Sequence, residues 1–478
     1  MQAAPKTDTD TAPSGPAETR AVRWALVGLS LSVLLSSLGT SSANVALPTL
    51  AQVFSASFQQ VQWIVLAYLL AITTLVVGVG RLGDVAGRRR LLVAGIALFT
   101  AASVLCGLAP TLWMLIGARA VQGLGAAVMM SLTMAFVGET VPRERSGSAM
   151  GLLGTMSAVG TALGPSLGGL LISEVGWRAI FFINLPLGLL AFGLCRRYLP
   201  DVPRTAPGAA GRFDVTGTVL LALTLAAYAL AMTLGRGSLG VLNLGLLLAA
   251  AMGLVLLLRV EVRAATPLLR LAMFREPVLR AGLATGVLVT TVMMATLVVG
   301  PFYLSRALGL DAAVVGLVMA AGPLIAAVVG LPGGQSVDRH GAQRITVGGL
   351  MGMVVGCAAL SRVPVSLGIP GYVIPLVILT AGYALFQVAN NTAVMAGVAA
   401  DQRGLVSGMI GLSRNLGLVT GAAVLGAVFA AAAGAADIHA ASPDAVAHGM
   451  RVTFGVAALL ILLAAGIAVG VGHARRGA

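Results

Sequence analysis

Apolar runs of roughly 20 residues recur along the chain, each bounded by short polar or charged segments. A helix of that length crosses about 30 Å of hydrocarbon. The pattern predicts fourteen spans, at 24–46, 60–80, 91–109, 111–137, 147–172, 179–198, 215–235, 239–259, 278–304, 312–332, 345–362, 370–397, 404–433 and 450–472. Arg20 and Arg23 precede the first run, as in a signal peptide. That run exceeds the usual apolar core of about 7–15 residues and further spans follow it, so a retained helix is expected. Residues 1–20, rich in Pro, Ala, Thr and acids, predict a disordered tail.

Between spans two and three lies Gly80–Arg90, GRLGDVAGRRR, a charged turn punctuated by glycine. A weaker copy starts at Gly334, between spans ten and eleven. Asp84 stands four residues after Gly80 and three before Gly87; Asp338 stands in the same relation to Gly334 and Gly341, 254 positions later. A displacement of eight spans predicts two similar six-span halves separated by an extra pair. The expected division is a tail at 1–20, a first bundle at 21–200, a linking pair at 201–263 and a second bundle at 264–478. Halves repeated in parallel move against each other around a central cavity in transporters.

Composition agrees with the pattern. The chain of 478 residues is 58% hydrophobic and 10% charged, with mean hydropathy +0.98, against roughly 25% charged in soluble chains. The 62 glycines fit closely packed bilayer helices. The net charge of +14 orients the chain and does not recruit nucleic acid: 23 of the 30 Lys and Arg fall on one side of the assigned spans and 5 on the other. The rich side is cytoplasmic by the positive-inside rule, which places both termini there. Lys6 is the only lysine and sits in the tail, so a phosphate-binding Walker loop and Schiff-base chemistry are both excluded. Cys106, Cys195 and Cys357 lie singly inside apolar runs, which excludes a disulfide framework or metal cluster by spacing. No cofactor is expected.

Several polar groups interrupt the spans. Gly78–Gly83 matches a dinucleotide GxGxxG, but it closes a membrane span rather than a strand, so the match is false. Its mechanical reading is a latch in which glycines let helix ends approach while Asp84 pairs with Arg88, Arg89 and Arg90. Topology anchoring explains those arginines alone but not Asp84 or the repeated spacing. Span four carries Arg119, with Gln122 and Gly123 on its helical face. A mid-span arginine costs roughly 2.5–3.5 kcal/mol on insertion scales and faces the bundle interior or a water-filled cavity. In span five, Gly160, Gly164 and Gly168 form a smooth face, and Pro165 favours a hinge or fixed kink at the seam between halves. Span one ends in Asn44-Val-Ala-Leu-Pro48, and Trp177–Pro186 follows span five. Asn44, Gln387, Asn390, Asn391, Arg414 and Asn415 complete the groups able to line a cavity; helix–helix hydrogen bonding is the alternative.

In this order, these stretches resemble the major facilitator superfamily, in particular its fourteen-helix drug:proton antiporter branch. The resemblance runs from Leu38 to about Arg414. It implies an all-α polytopic membrane protein with the major facilitator fold: two six-helix bundles plus two linking helices. It further implies a gating role for Gly80–Arg90, a part in proton coupling for Arg119, and an antiporter signature at Gly160–Gly169. One departure stands out. The branch places an acid five positions before the Asn of Asn-Val-Ala-Leu-Pro, where this chain has Gly39. No other Asp, Glu or His falls in the middle of a predicted span: Glu139, Glu174 and Asp214 lie at span ends, and His340, His439, His448 and His473 in loops.

The expected function is therefore export of small amphipathic compounds, drugs or toxic metabolites, across the cytoplasmic membrane by alternating access. Protons are the candidate coupling ion and the lipid bilayer is the medium; any periplasmic adaptor is open. Arg119 without a carboxylate partner favours a neutral or weakly acidic cargo over a quaternary cation. The alternatives are a metabolite facilitator or importer of the same fold and, in another class, a lipid-modifying membrane enzyme. The enzyme needs clustered Asp, Glu or His, or a nucleophile with a base, and no such cluster is present. A non-transporting sensor or scaffold would leave the polar midplane and the repeated turns without a role.

Overall fold

The computed structural model describes residues 16–76, 78–140, 146–200, 215–234, 240–263, 276–396, 398, 403–434 and 441–477. The described residues contain no strand, and fourteen helices are long and apolar enough to cross a membrane. They are α1 (Arg20–Val53), α2 (Phe58–Val76), α3 (Arg88–Leu108), α4 (Leu112–Phe136), α5 (Leu152–Glu174), α6 (Ala179–Tyr198) and α7 (Val215–Thr233). Then follow α8 (Val241–Val262), α9 (Pro277–Ala307), α10 (Ala312–Gly330), α11 (Ala342–Leu360), α12 (Val365–Met395), α13 (Gly408–Ala432) and α14 (Pro443–Gly472). Number and order agree with the hydropathy pattern; several ends do not. Most of the tail at 1–20, as well as Asp214 and His439, lies outside the described residues.

Three differences have physical causes. The first helix does not stop at Asn44–Pro48 but continues through Pro48 to Val53, because packed neighbours make an interior proline tolerable in a bilayer helix. The last helix starts at Pro443, before the expected 450. Ser442 Oγ accepts from the Ala445 N–H at 3.2 Å and Pro443 opens the first turn, a polar start that hydropathy overlooks. Finally, Gly80–Arg90 is mostly helical rather than a turn. A short helix, Val79–Ala86, ends at Gly87, where φ is 92° and ψ 117°, and α3 begins at Arg88. The second copy repeats the device: the helix of α10 runs on to His340 and breaks at Gly341, with φ 83° and ψ 146°. Side chains other than glycine rarely adopt this backbone, which explains why the spacing recurs.

The two bundles are built alike. In the first, α1 packs along α5, and α4 along α2 and α3; in the second, α12 packs along α11 and α10, and α9 along α13 and α14. Close crossings use glycine at matching places. A Cβ on Gly125 of α4 would stand 2.8 Å from the Gly95 carbonyl oxygen of α3, and one on Gly382 of α12 would stand 2.5 Å from that of Gly349 in α11. Gly349 follows Gly95 by 254 positions, the interval that separates the two aspartates.

The linking helices α7 and α8 pair with each other through Leu221, Leu225 and Leu257, and lean on Leu70 of α2 and Leu416 of α13. Trp63 Nε1 donates to Thr233 Oγ1 at 3.1 Å. The outer face of α8 exposes Leu242, Leu244, Leu248, Met252 and Val262, an apolar stripe that fits lipid rather than water.

The bundles join where α1, α5, α9 and α13 finish. Phe58 meets Phe302 at 4.8 Å and Phe429 at 5.3 Å, edge to face. Gln62 Nε2 donates to the Ala422 carbonyl at 2.9 Å, inside a π-turn over Gly421–Leu425. A Cβ on Gly169 of α5 would fall 2.2 Å from the Ala312 carbonyl oxygen of α10, so here the two backbones touch. The Gly87 and Gly341 breaks lie at the opposite end.

Candidate functional site

Arg119 is fully buried in the first bundle. Its Nε donates to the Ile64 carbonyl at 3.1 Å and its Nη1 to Gln122 Oε1 at 2.6 Å. The guanidinium lies over the Tyr68 ring, 4.1 Å from the centroid, and Nη2 is buried without an acceptor. Gln122 passes the network on to Ser103 Oγ at 2.7 Å, and the Tyr68 hydroxyl donates to the Ser36 carbonyl at 3.0 Å. Of the two placements expected for Arg119, bundle interior or water-filled cavity, the side chain takes the interior. Gly123, on the same face one turn later, lets α4 press on α2 so closely that a Cβ there would stand 2.5 Å from the Tyr68 carbonyl oxygen. The whole Arg119 face is thereby sealed against α2.

Gly39 sits beside this network. A Cβ at Gly39 would be 3.0 Å from the Phe99 ring and 3.4 Å from the Tyr68 hydroxyl. The position where the fourteen-helix branch carries an acid thus adjoins the Tyr68–Arg119 pair. Asn44, also fully buried, donates through Nδ2 to the Thr40 carbonyl at 2.9 Å, and its Oδ1 has no donor.

The open polar space belongs to the second bundle. Gln387, Asn390, Asn391 and Arg414 line a small cavity of about 40 Å³ with Thr290 and Ser413. Asn390 Nδ2 donates to the Gly282 carbonyl at 3.2 Å, so that amide also ties α12 to α9. Asn415 is buried and does not line the space. A larger lobe of about 120 Å³ shares Tyr383 and Arg414 with the first and is walled mainly by Met293, Leu297, Met319, Pro323, Leu376 and Leu418. Thr161 of α5 closes it from the first bundle. Among the described residues, no Asp, Glu or His lines either lobe. An apolar container with a few convergent polar groups is the usual form of a small-molecule site, and Arg414 brings it a positive charge that no carboxylate among the described lining residues offsets.

The α5 motif divides its work. Cβ atoms on Gly160, Gly164 and Gly168 would meet Leu34, Ser41 and Val45, all on α1, so the smooth stripe serves packing within the first bundle. Pro165 and Gly169 instead touch Gly316 of α10 across the seam. At the charged break, Arg89 donates to the Arg196 carbonyl, and Asp338 of the second copy is exposed. The side chain of Asp84 and the surroundings of Gly80 lie outside what the structure describes.

Sequence reasoning missed Tyr68, Tyr383 and the apolar wall of the larger lobe, because aromatic and aliphatic residues in a span carry no signal of which face is open. It also placed Glu261 beyond a span end, whereas Glu261 lies in the helix of α8 and is 2% exposed.

Fourteen helices long and apolar enough to cross a membrane, two bundles and a linking pair, with a polar-tipped, apolar cavity lined mainly by the second bundle, have the form of a multi-pass membrane transporter. The chain belongs to the major facilitator superfamily, whose model matches residues 29–422. It is 32% identical over 423 residues to the uncharacterized transporter YebQ of Escherichia coli, covering 88% of this chain and 91% of that protein. It is 30% identical to the riboflavin transporter RibZ of Clostridioides difficile (85% and 88% covered). It is also 32% identical to the multidrug resistance protein Stp of Mycobacterium tuberculosis (85% and 75% covered). Its fold matches the inward-facing, occupied crystal structure of a bacterial homologue of the human lysosomal transporter Spinster, with a TM-score of 0.69 and 16% identity over 96% and 98% of the two chains.

Proposed function

We propose that this transporter exports neutral or weakly acidic amphipathic compounds across the cytoplasmic membrane by gradient-driven antiport, with protons as the candidate coupling ion. The observation that carries the reading is the charge of the cavity: Arg414 lines both lobes, and among the described residues no acid lines either. Arg414 is exposed to the cavity side of its helix, and a cation that no described acid offsets repels cationic cargo and favours an anionic or polarised neutral group. Gln387, Asn390 and Asn391 supply donors and acceptors for orientation, and the larger lobe takes the apolar body. Arg119, Gln122, Asn44 and Asn415 act from behind this surface by fixing the helices around it.

The proposed division is a first bundle at 21–200, a linking pair at 201–263 and a second bundle at 264–478, with both termini cytoplasmic. The two glycine breaks, with Asp84, Arg88 and Arg89 in one and Asp338 in the other, then form cytoplasmic latches. Their rupture accompanies the switch between states. The relatives named for drug resistance support export. A metabolite carrier of the same fold is the second reading, favoured by the riboflavin transporter among the relatives.

An efflux assay in cells expressing the chain tests the proposal. Weakly acidic and neutral fluorophores are expected to leave faster than ethidium-like cations, and Arg414→Gln to abolish that preference. Faster efflux of the cations, unaffected by Arg414→Gln, would overturn it.

A further inference from the structure

Behind Tyr372, which forms part of the larger lobe's wall, a group of buried donors has no acceptor. Tyr303 and Tyr372 are both fully buried, and their rings stack with centroids 5.8 Å apart. Neither hydroxyl has a hydrogen-bond partner, nor has the buried Nε of Arg451. The Arg451 charge lies within electrostatic reach of the Tyr303 hydroxyl, and that hydroxyl within reach of Tyr372. The early start of α14 at Pro443 carries Arg451 two helical turns into the helix, where α14 packs on the π-turn Tyr303–Ala307 at the end of α9. Such turns often mark functional sites. Among the described residues, Arg451 forms no ion pair.

A half-buried arginine with an orphaned Nε, beside two stacked tyrosines whose buried hydroxyls lack an acceptor, has the chemistry of an anion site. A water molecule could accept from these donors but would leave the charge unneutralised. We propose that Tyr303, Tyr372 and Arg451 bind a small monovalent anion, a halide or a carboxylate, at the wall of the cargo cavity. The site rests on its own donors and stands whether or not the export reading holds. Because Tyr372 belongs to both spaces, the bound anion fixes the wall against which cargo packs.

Thermal unfolding of the purified full-length protein in detergent tests the site without any transport step. Melting is followed at constant ionic strength while sodium HEPES, a bulky anion, is replaced by sodium chloride or sodium acetate. A ligand that binds only the folded state raises the melting temperature with concentration, here by about 1–2 °C. A rise in chloride assigns a halide; a rise in acetate alone assigns a carboxylate, and with it the acidic end of a cargo molecule. Arg451→Gln and Tyr303→Phe should flatten the response, whereas Arg362→Gln, which removes an exposed charge elsewhere, should keep it. Equal melting in all three salts, or a full response in Arg451→Gln, would refute the site.

Discussion

At the scale of single residues, the most informative position is Gly39. Its missing side chain leaves the Tyr68–Arg119 pair without a carboxylate, and the Phe99 ring stands where a Cβ would go. Gly39→Asp therefore overpacks α1 against α3, at about 1–3 kcal/mol, unless Phe99→Leu makes room. The double variant is expected to gain pH-dependent transport of cations, because the new acid would titrate beside Arg119; transport unchanged between pH 6 and 8 would contradict this. The glycine breaks give a second test. Gly341→Ala places a Cβ in a left-handed conformation, costing about 1–2 kcal/mol. It should lower thermal stability, whereas Gly330→Ala, in a helix with nothing near its Cβ, should not. The motif residues themselves were legible in the sequence. The direction of Arg119 was not, since only the Gly123 contact with α2 decides which way its helix turns.

Helices and their pairings were the most readable level. Fourteen apolar runs gave fourteen spans, and the 254-residue interval that linked two aspartates also links the Gly95 and Gly349 crossings. What hydropathy could not place were helix ends built from polar caps, such as Ser442–Pro443, and a helix that runs through Pro48. It also could not tell which face of α5 meets which neighbour. Gly164 shows why the stripe exists: a Cβ there would be 1.8 Å from Ser41 Oγ and 2.6 Å from Ser41 Cβ. Gly164→Ala should destabilise the first bundle by about 1–3 kcal/mol, seen as a lower melting temperature. A matched substitution at Gly154, where a Cβ meets nothing, is the control.

For the whole molecule, the bundles touch at the end that holds Phe58, Gln62 and Gly169, opposite the glycine breaks. Gly169→Ala would drive a Cβ into the Ala312 backbone, which cannot yield as a side chain can. That end should open. Spin labels at Val53 and Leu367, both exposed, should then report a longer distance than in the unsubstituted chain, and the three native cysteines are buried and leave introduced thiols to be labelled. An unchanged distance distribution would place the seam elsewhere. The central claim concerns cargo, and its most direct measurement is uptake into proteoliposomes of a matched panel of cationic, neutral and weakly acidic amphipaths, with and without a pH gradient, by the native chain and by Arg414→Gln. The account predicts that the gradient drives the neutral and acidic compounds and not the cations, and that Arg414→Gln erases the difference. Gradient-driven movement of the cations at the same or a higher rate, indifferent to Arg414→Gln, would contradict it.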